Sequence, residues 1–195
     1  MRETTKLLLA GLILAALLGM TPSGRAASYY HVKTGGTGGK PVQSEADPGL
    51  SSCWNSINAA FAAVKSRITL GPWIIQVDDE ATYDEAVVLS DFQTSAAETL
   101  TLTKAPWLSG RPTIYPSQPC RSALAINGRW LQADDPPDLP RPTSRQVTYV
   151  TVRGFILKNN ASGIEKATEL NLFTDNQSDL TEGLHIIEDC FFDGQ

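Results

Sequence analysis

The stretch DDEATYDE, residues 78–85, carries five carboxylates in eight positions: Asp78, Asp79, Glu80, Asp84 and Glu85. Hard oxygen donors at this density are the material of Ca²⁺ sites. An EF-hand is excluded, because Tyr83 stands at the sixth position of such a loop, where a glycine makes the turn. Two readings follow: a solvated acidic turn, which is the default, and a weak calcium site.

Other constellations are incomplete. Paired carboxylates cleave glycosides when held ~5–9 Å apart. Glu188 and Asp189 are neighbours on a strand pattern, so their side chains leave on opposite faces. Asp193 joins Glu188 only if the chain beyond folds back. His31 and His185 are the two histidines, and neither shares a ligand spacing with the other or with a cysteine, which argues against zinc. His185 alternates with Leu184 and Ile186 and is expected to face outward. No Gly-x-Ser-x-Gly elbow accompanies either histidine. KTGGTGGKP fails as a phosphate loop: Pro41 follows Gly39–Lys40, and Thr34 occupies the first glycine position. A flexible surface loop is expected there. The catalytic residues stay unassigned.

The chain has Cys53, Cys120 and Cys190. An odd count in an exported protein leaves room for one disulfide and a spare. Cys53 and Cys120 both flank loops and can pair; three unpaired thiols is an equal alternative. Cys190 sits at an inward position of a repeated pattern and reads as a small buried hydrophobe.

Export is suggested by residues 1–26. Arg2 and Lys6 precede an apolar run from Leu7 to Leu18, followed by Pro22 and the small residues of SGRAAS. That is the layout of a secretory signal peptide, with cleavage expected after Ala26. A retained anchor is the less favoured alternative, since the run is short for a span of ~20 residues. No stable membrane span is expected after cleavage, and a secreted or cell-envelope location follows. The mature chain, 27–195, keeps 13 basic against 20 acidic side chains, a net charge of −7. Such a charge argues against nucleic acid, whose affinity rests on Lys and Arg neutralising phosphates. It also repels polyanionic sugars unless cations intervene.

These residues must be held by short strands. SYYHV (28–32) is a strand candidate, followed by a Gly/Pro-rich loop. Residues 51–66 read as a helix, with Trp54, Ile57, Phe61 and Val64 on one face and Ser51 or Ser52 as cap. From about residue 73 come WIIQV, AVVL, LTLTK, PTIYP and ALAI, then YVTVRGFILKNN and LHIIEDCFFDGQ. In the last two, Ile187, Cys190 and Phe192 fall opposite Val152, Phe155 and Leu157, and the alternation slips at Gly154.

The strand centres Ile75, Thr101, Ala125, Thr151 and Ile186 lie 26, 24, 26 and 35 residues apart. A period near 25 suggests a solenoid. The extra residues 161–183 of the last interval are expected to loop out. A parallel β-helix fits: alternate side chains enter a narrow interior, and Gly154 makes the corner between two strands. In that stacking Arg153 and Glu188 face outward one turn apart and can pair. The competitor is a β-sandwich, which also alternates short strands with turns.

SYYHV, GGTGG, CWNSINAAFAAV, WIIQV and TYDEAVVL, with VTVRGFILKNN and IIEDCFFDG later, resemble the exported right-handed parallel β-helix proteins of the pectate-lyase-like superfamily. The resemblance spans about residues 29–195 and departs at DDEATY, where Pro-Gly commonly precedes the tyrosine. It implies an all-β fold capped by the helix at 51–66, and polysaccharide as a partner. Asn-Thr-Asp, Asp-Asp and Arg-Ile-Lys constellations of its polygalacturonase-type members are missing as such; Asp-Asp occurs at 78–79 and 134–135 without its companions. Its lyase members use an Arg or Lys base beside acidic calcium ligands. Arg153 and Lys158 are the residues to consider here, although Arg153 beside Glu188 reads first as a surface pair.

Two functions are therefore expected. One is a carbohydrate-active protein, lyase or hydrolase-like, of which this chain is the N-terminal portion without the active rungs. The alternative is a non-catalytic envelope or surface protein for adhesion or glycan binding. Ile187, Cys190 and Phe192 lie on a last rung without a cap, which predicts instability of the 27–195 piece or self-association there. Asn160-Ala-Ser and Asn176-Gln-Ser fit the glycosylation acceptor pattern.

Overall fold

The computed structural model describes residues 25–90, 92–118, 122–126, 149–158, 170–172 and 184–193. The signal-like segment before residue 25, Cys120, Asp134–Asp135, Asn160 and Asn176 lie outside the described residues.

Among the described residues, twelve strands and one α-helix follow in order. They are β1 (Ser28–Val32), α1 (Ile57–Lys65), β2 (Trp73–Val77), β3 (Thr82–Tyr83), β4 (Val87–Leu89), β5 (Leu100–Lys104), β6 (Thr113–Ile114), β7 (Leu124–Ile126), β8 (Tyr149–Arg153), β9 (Ile156–Lys158), β10 (Leu170–Leu172), β11 (Leu184–Glu188) and β12 (Phe191–Asp193). They form three sheets: A, ordered β1-β2-β5-β8-β11; B, ordered β3-β6-β9-β12; and C, ordered β4-β7-β10. From β2 onward the chain visits A, B and C in rotation. Every pairing between these strands is parallel. The antiparallel hairpins of a sandwich are absent among the described strands.

The register explains the alternation. In sheet A, Ile75, Leu102, Val152 and Ile187 are successive partners; in sheet B, Tyr83, Ile114, Leu157 and Phe192 are. Phe155 lies between the two columns, fully buried. Gly154 makes the bend from β8 to β9 at φ 83, and a Cβ there would stand 2.7 Å from Lys104 Cγ. One layer on, Asp189 makes the corresponding bend at φ 51, a conformation that Asp enters more readily than most residues.

Three expectations need correction. The near-25 period mixed two sheets, because Ala125 pairs with Val88 in sheet C, whereas Thr101 pairs with Thr151 in sheet A. The sheet A column is spaced by 27, 50 and 35 residues. Residues 161–183 are not purely a looped-out insertion, since Leu170–Leu172 pairs with β7. The helix begins at Ile57 rather than near Ser51. Ser56 caps it, accepting a hydrogen bond from Ala59 N at 3.1 Å. Leu50–Ser52 forms a separate 3₁₀ turn.

α1 buries Ile57, Ala60, Phe61 and Val64, and packs on β1, β2 and β4. Phe92, from a loop, meets Trp73 edge-on at 4.8 Å and Phe61 at 6.0 Å. The outer edge of β1 is covered: Tyr29 N and Val42 O bond at 2.8 Å, and Trp54 N donates to His31 O at 2.8 Å. The glycine-rich loop earns its composition here. A Cβ on Gly38 would lie 1.8 Å from Ser51 O, and one on Gly39 would lie 2.5 Å from the Trp54 ring. The loop lies at the surface, as expected, and packs closely against residues 51–54. Among the described residues, no helix is long and apolar enough to cross a membrane.

Candidate functional site

The five clustered carboxylates separate once the chain folds, each taking its own donors. Asp78 is buried and receives Gln76 Nε2 at 2.9 Å and His31 Nδ1 at 2.7 Å. Asp79 accepts from Thr34 N at 2.8 Å and from the Tyr83 hydroxyl at 2.7 Å. Burial, and then the Asp79 bond, push the Tyr83 phenol up. Glu80 accepts from Gly110 N at 2.5 Å, and Asp84 from Ser117 N at 2.7 Å. Glu85 takes Ile57 N at 2.7 Å and Asn58 N at 2.9 Å, one on each oxygen. A carboxylate at a helix N-terminus satisfies orphan donors and meets the positive end of the helix dipole.

Asp84 and Glu85 remain together on a polar cleft of about 330 Å³, shared with Asn58, Ala86, Pro116, Ser117 and Gln118. The cleft lies between the start of α1, the β3–β4 connection and the segment after β6. Its two carboxyls are driven apart. Burial raises Glu85 despite the Asn58 and Ile57 amides, while the Ser117 amide and hydroxyl lower Asp84. Asn58 bridges from the helix, donating Nδ2 to Ala86 O at 2.8 Å and accepting from Val88 N at 3.3 Å.

A second polar feature runs along the outer face of sheet A. His31, Gln76, Thr103, Arg153 and Glu188 are partners in successive strands. Arg153 Nε donates to Thr103 Oγ1 at 3.1 Å, and Arg153 Nη1 lies 3.8 Å from Glu188, the outward pairing expected from the repeat. His31, Gln76 and Asp78 are roofed by residues 42–47: His31 Nε2 bonds Ser44 O at 2.9 Å, and Gln76 Nε2 donates to Glu45 O at 2.8 Å. Lys33 and Asp47 close the roof at 2.6 Å.

Cys53 lies under this roof as a free, buried thiol, and its proposed partner Cys120 is outside the described residues. With Asp47 and Asp78 it brings three ligand atoms within 4.8 Å of one another. These groups are already engaged: Asp47 by Lys33 and Gly49 N, Asp78 by His31 and Gln76. Burial first, then the Asp78 and Asp47 charges, push the thiol up to about 11, away from the thiolate that binds metals.

The remaining candidates are dispersed. Lys158 pairs with Asp193 at 3.0 Å, so Asp193 does not reach Glu188. Asp189 pairs with Arg111. His185 is the register partner of buried Val150, so it faces inward, contrary to the outward expectation; its Nδ1 is buried without a partner, and burial lowers its pKa. The His31–Asp78 pair and the cleft were not legible in the sequence. Their parts lie tens of residues apart, joined by the β1–β2 register in the pair and by the packing of α1 beside β4 in the cleft. A scan against family models gives no match, and comparisons with curated proteins and with solved structures give none.

Proposed function

We propose that the three parallel sheets are the faces of a right-handed parallel β-helix, similar to the pectate-lyase-like proteins, and that this extracytoplasmic protein binds a neutral glycan without cleaving it. The rotation of the chain through sheets A, B and C supports the architecture, as does the recurrence of a left-handed bend at Gly154 and Asp189. The fold by itself says nothing of activity. The observation that carries the binding reading is the cleft of Asn58, Asp84, Ser117 and Gln118. Its polar lining suits sugar hydroxyls, and its volume is at the low end of the ~300–1,000 Å³ of small-molecule sites.

Cleavage is less well supported because the groups that would perform it are occupied. Arg153 and Lys158, the lysine and arginine considered as lyase bases, hold Glu188 and Asp193. Both Glu85 oxygens hold the helix. The excess of acidic side chains favours a neutral over a polyanionic glycan, and Ca²⁺ among the residue 78–85 carboxylates is a further element that a uronan would require.

A carbohydrate-active enzyme is the second reading. Its specific support is the opposed displacement of Glu85 and Asp84 in one cleft, the way two carboxyls come to differ in protonation. Titrating the protein with neutral and uronic oligosaccharides, with and without Ca²⁺, and assaying each mixture for new ends separates the two. Saturable binding of a neutral glycan, weakened several-fold by Gln118→Ala and without new ends, is expected. Release of unsaturated or reducing ends would establish the enzyme, and failure to bind any glycan would remove both.

A further inference from the structure

Acidic side chains are unevenly spread along the chain. Of its 21 acids none falls between Asp47 and Asp78, and both cations of that interval, Lys65 and Arg67, stand exposed at the end of α1. The turn that follows carries Ile68 and Leu70, 61% and 54% exposed, and no large hydrophobic among the described residues is more exposed than Ile68. Scattered exposed aliphatic side chains are ordinary, but this pair is held in place. Between them Thr69 is tied to the core: its hydroxyl meets the Tyr30 hydroxyl at 2.8 Å, and its carbonyl accepts from Trp73 Nε1 at 3.3 Å. The Leu70 carbonyl accepts from Ser28 Oγ at 3.4 Å, and Arg67 is steadied by Gln93 O at 3.1 Å. Aliphatic tips beside cations on a fixed turn have the chemistry of a surface that meets anionic lipid, the tips at the acyl boundary and the cations among the headgroups.

The N-terminal part of the chain arrives at the same place. Ser28 N donates to Pro72 O at 2.9 Å, and Arg25 pairs with Glu98 at 3.3 Å. A Cβ on Gly71 would stand 3.0 Å from Glu98 Cβ, so this ion pair lies beside the turn. Arg25, Lys65 and Arg67 thus outnumber Glu98 around it. The apolar run Leu7–Leu18 joins the fold here. From Leu18 to Arg25 a chain reaches at most ~25 Å, so a bilayer that holds the run has this turn as a near neighbour.

We propose that residues 65–70 form a membrane-contacting surface, which lies against an anionic bilayer beside the 7–18 run. Ile68 and Leu70 enter the interface, and Lys65 and Arg67 meet lipid phosphates. One weak attachment to a bilayer is readily reversed, whereas two acting together hold. The proposal goes beyond the glycan reading and does not depend on it.

Amide hydrogen exchange of the full chain, with vesicles of phosphatidylcholine alone and with phosphatidylglycerol added, tests this. Residues 66–70 should gain protection several-fold on the anionic vesicles and less on the neutral ones, while 100–104 and 184–188 stay unchanged. Ile68→Asp combined with Leu70→Asp should abolish that protection. Lys65→Glu combined with Arg67→Glu should erase the difference between the two vesicles, and Phe191→Asp, at an exposed apolar position elsewhere, should alter neither. Vesicle binding that leaves 66–70 unprotected would mean that the N-terminal run acts alone, and would overturn the proposal. So would an absence of vesicle binding, or protection that survives the double aspartate variant. Protection already present without lipid would assign the turn to the run itself or, if it grew with protein concentration, to a second copy, and would overturn it equally. If a variant unfolds, the wild-type exchange decides: no vesicle-dependent protection at 66–70 overturns it.

Discussion

His31 and Asp78 form a fully buried pair, Nδ1 to Oδ2 at 2.7 Å, although 47 residues separate them. The other imidazole nitrogen faces the Ser44 carbonyl at 2.9 Å. A carboxylate and a carbonyl both accept, so this pair of neighbours suits the doubly protonated ring. Burial pulls the pKa down, but the Asp78 bond and the Ser44 carbonyl together outweigh it and leave His31 above its ordinary 6.5.

The folded protein therefore holds this proton more tightly than the unfolded chain. The resulting stability is fully present below pH 6.5 and lost as pH rises through the folded value. Urea denaturation at pH 6 and pH 9 should show the loss, with the imidazole NMR titration marking its midpoint. His31→Ala should remove the pH dependence and leave Asp78 buried without its cation, at a cost of about 3–5 kcal/mol. An unchanged titration slope in that variant would assign the effect elsewhere.

Cys53 should be inert in the native state. Its thiol is buried and pushed up to about 11, so thiolate is scarce at neutral pH. Alkylation with iodoacetamide at pH 8, followed by peptide mass spectrometry, should modify Cys53 only once urea unfolds the chain. Rapid native labelling would mean that the roof over residues 42–47 opens readily.

Two glycines should respond differently to alanine. Gly154→Ala combines a φ of 83 with a contact to the flexible Lys104 side chain, which can move, so the strain of about 1–2 kcal/mol is mainly that of the left-handed backbone. Gly38→Ala meets the Ser51 backbone instead, which cannot give way without parting the glycine-rich loop from residues 51–54. The larger loss of melting temperature is expected for Gly38→Ala. Equal losses would show that the loop's packing contributes little.

Glu85→Ala should cost about 1–2 kcal/mol, because Ile57 N and Asn58 N lose their acceptor at the start of α1. Glu85→Gln should recover part of it through its one remaining acceptor oxygen. Thermal melts of both variants, with glycan binding measured alongside, separate anchoring from recognition: an anchor changes the melt first.

The sequence by itself determined where most of the strands lie. Alternation placed strands at 28–32, 73–77, 100–104, 149–153 and 184–188, because inward and outward positions follow one another along any extended chain. The two similar copies also gave their own register, Ile187 on Val152 and Phe192 on Leu157. Sheet membership was another matter. Ala125 stood at the right spacing from Thr101 and belongs to a different sheet, since loop length rather than alternation sets how far the chain travels before it pairs. The short LNL strand went unread for the same reason.

The tertiary structure alone decided the fate of the chemical groups. Five carboxylates that look like one cluster in sequence took separate donors, with only Asp84 and Glu85 left on a shared cleft. His31 found Asp78 because parallel register sets β1 beside β2, whereas the inward face of His185 already followed from Ile187 two residues on. Alternation is a property of neighbours along the chain. A site is a property of neighbours across it, and those exist only after the sheets assemble.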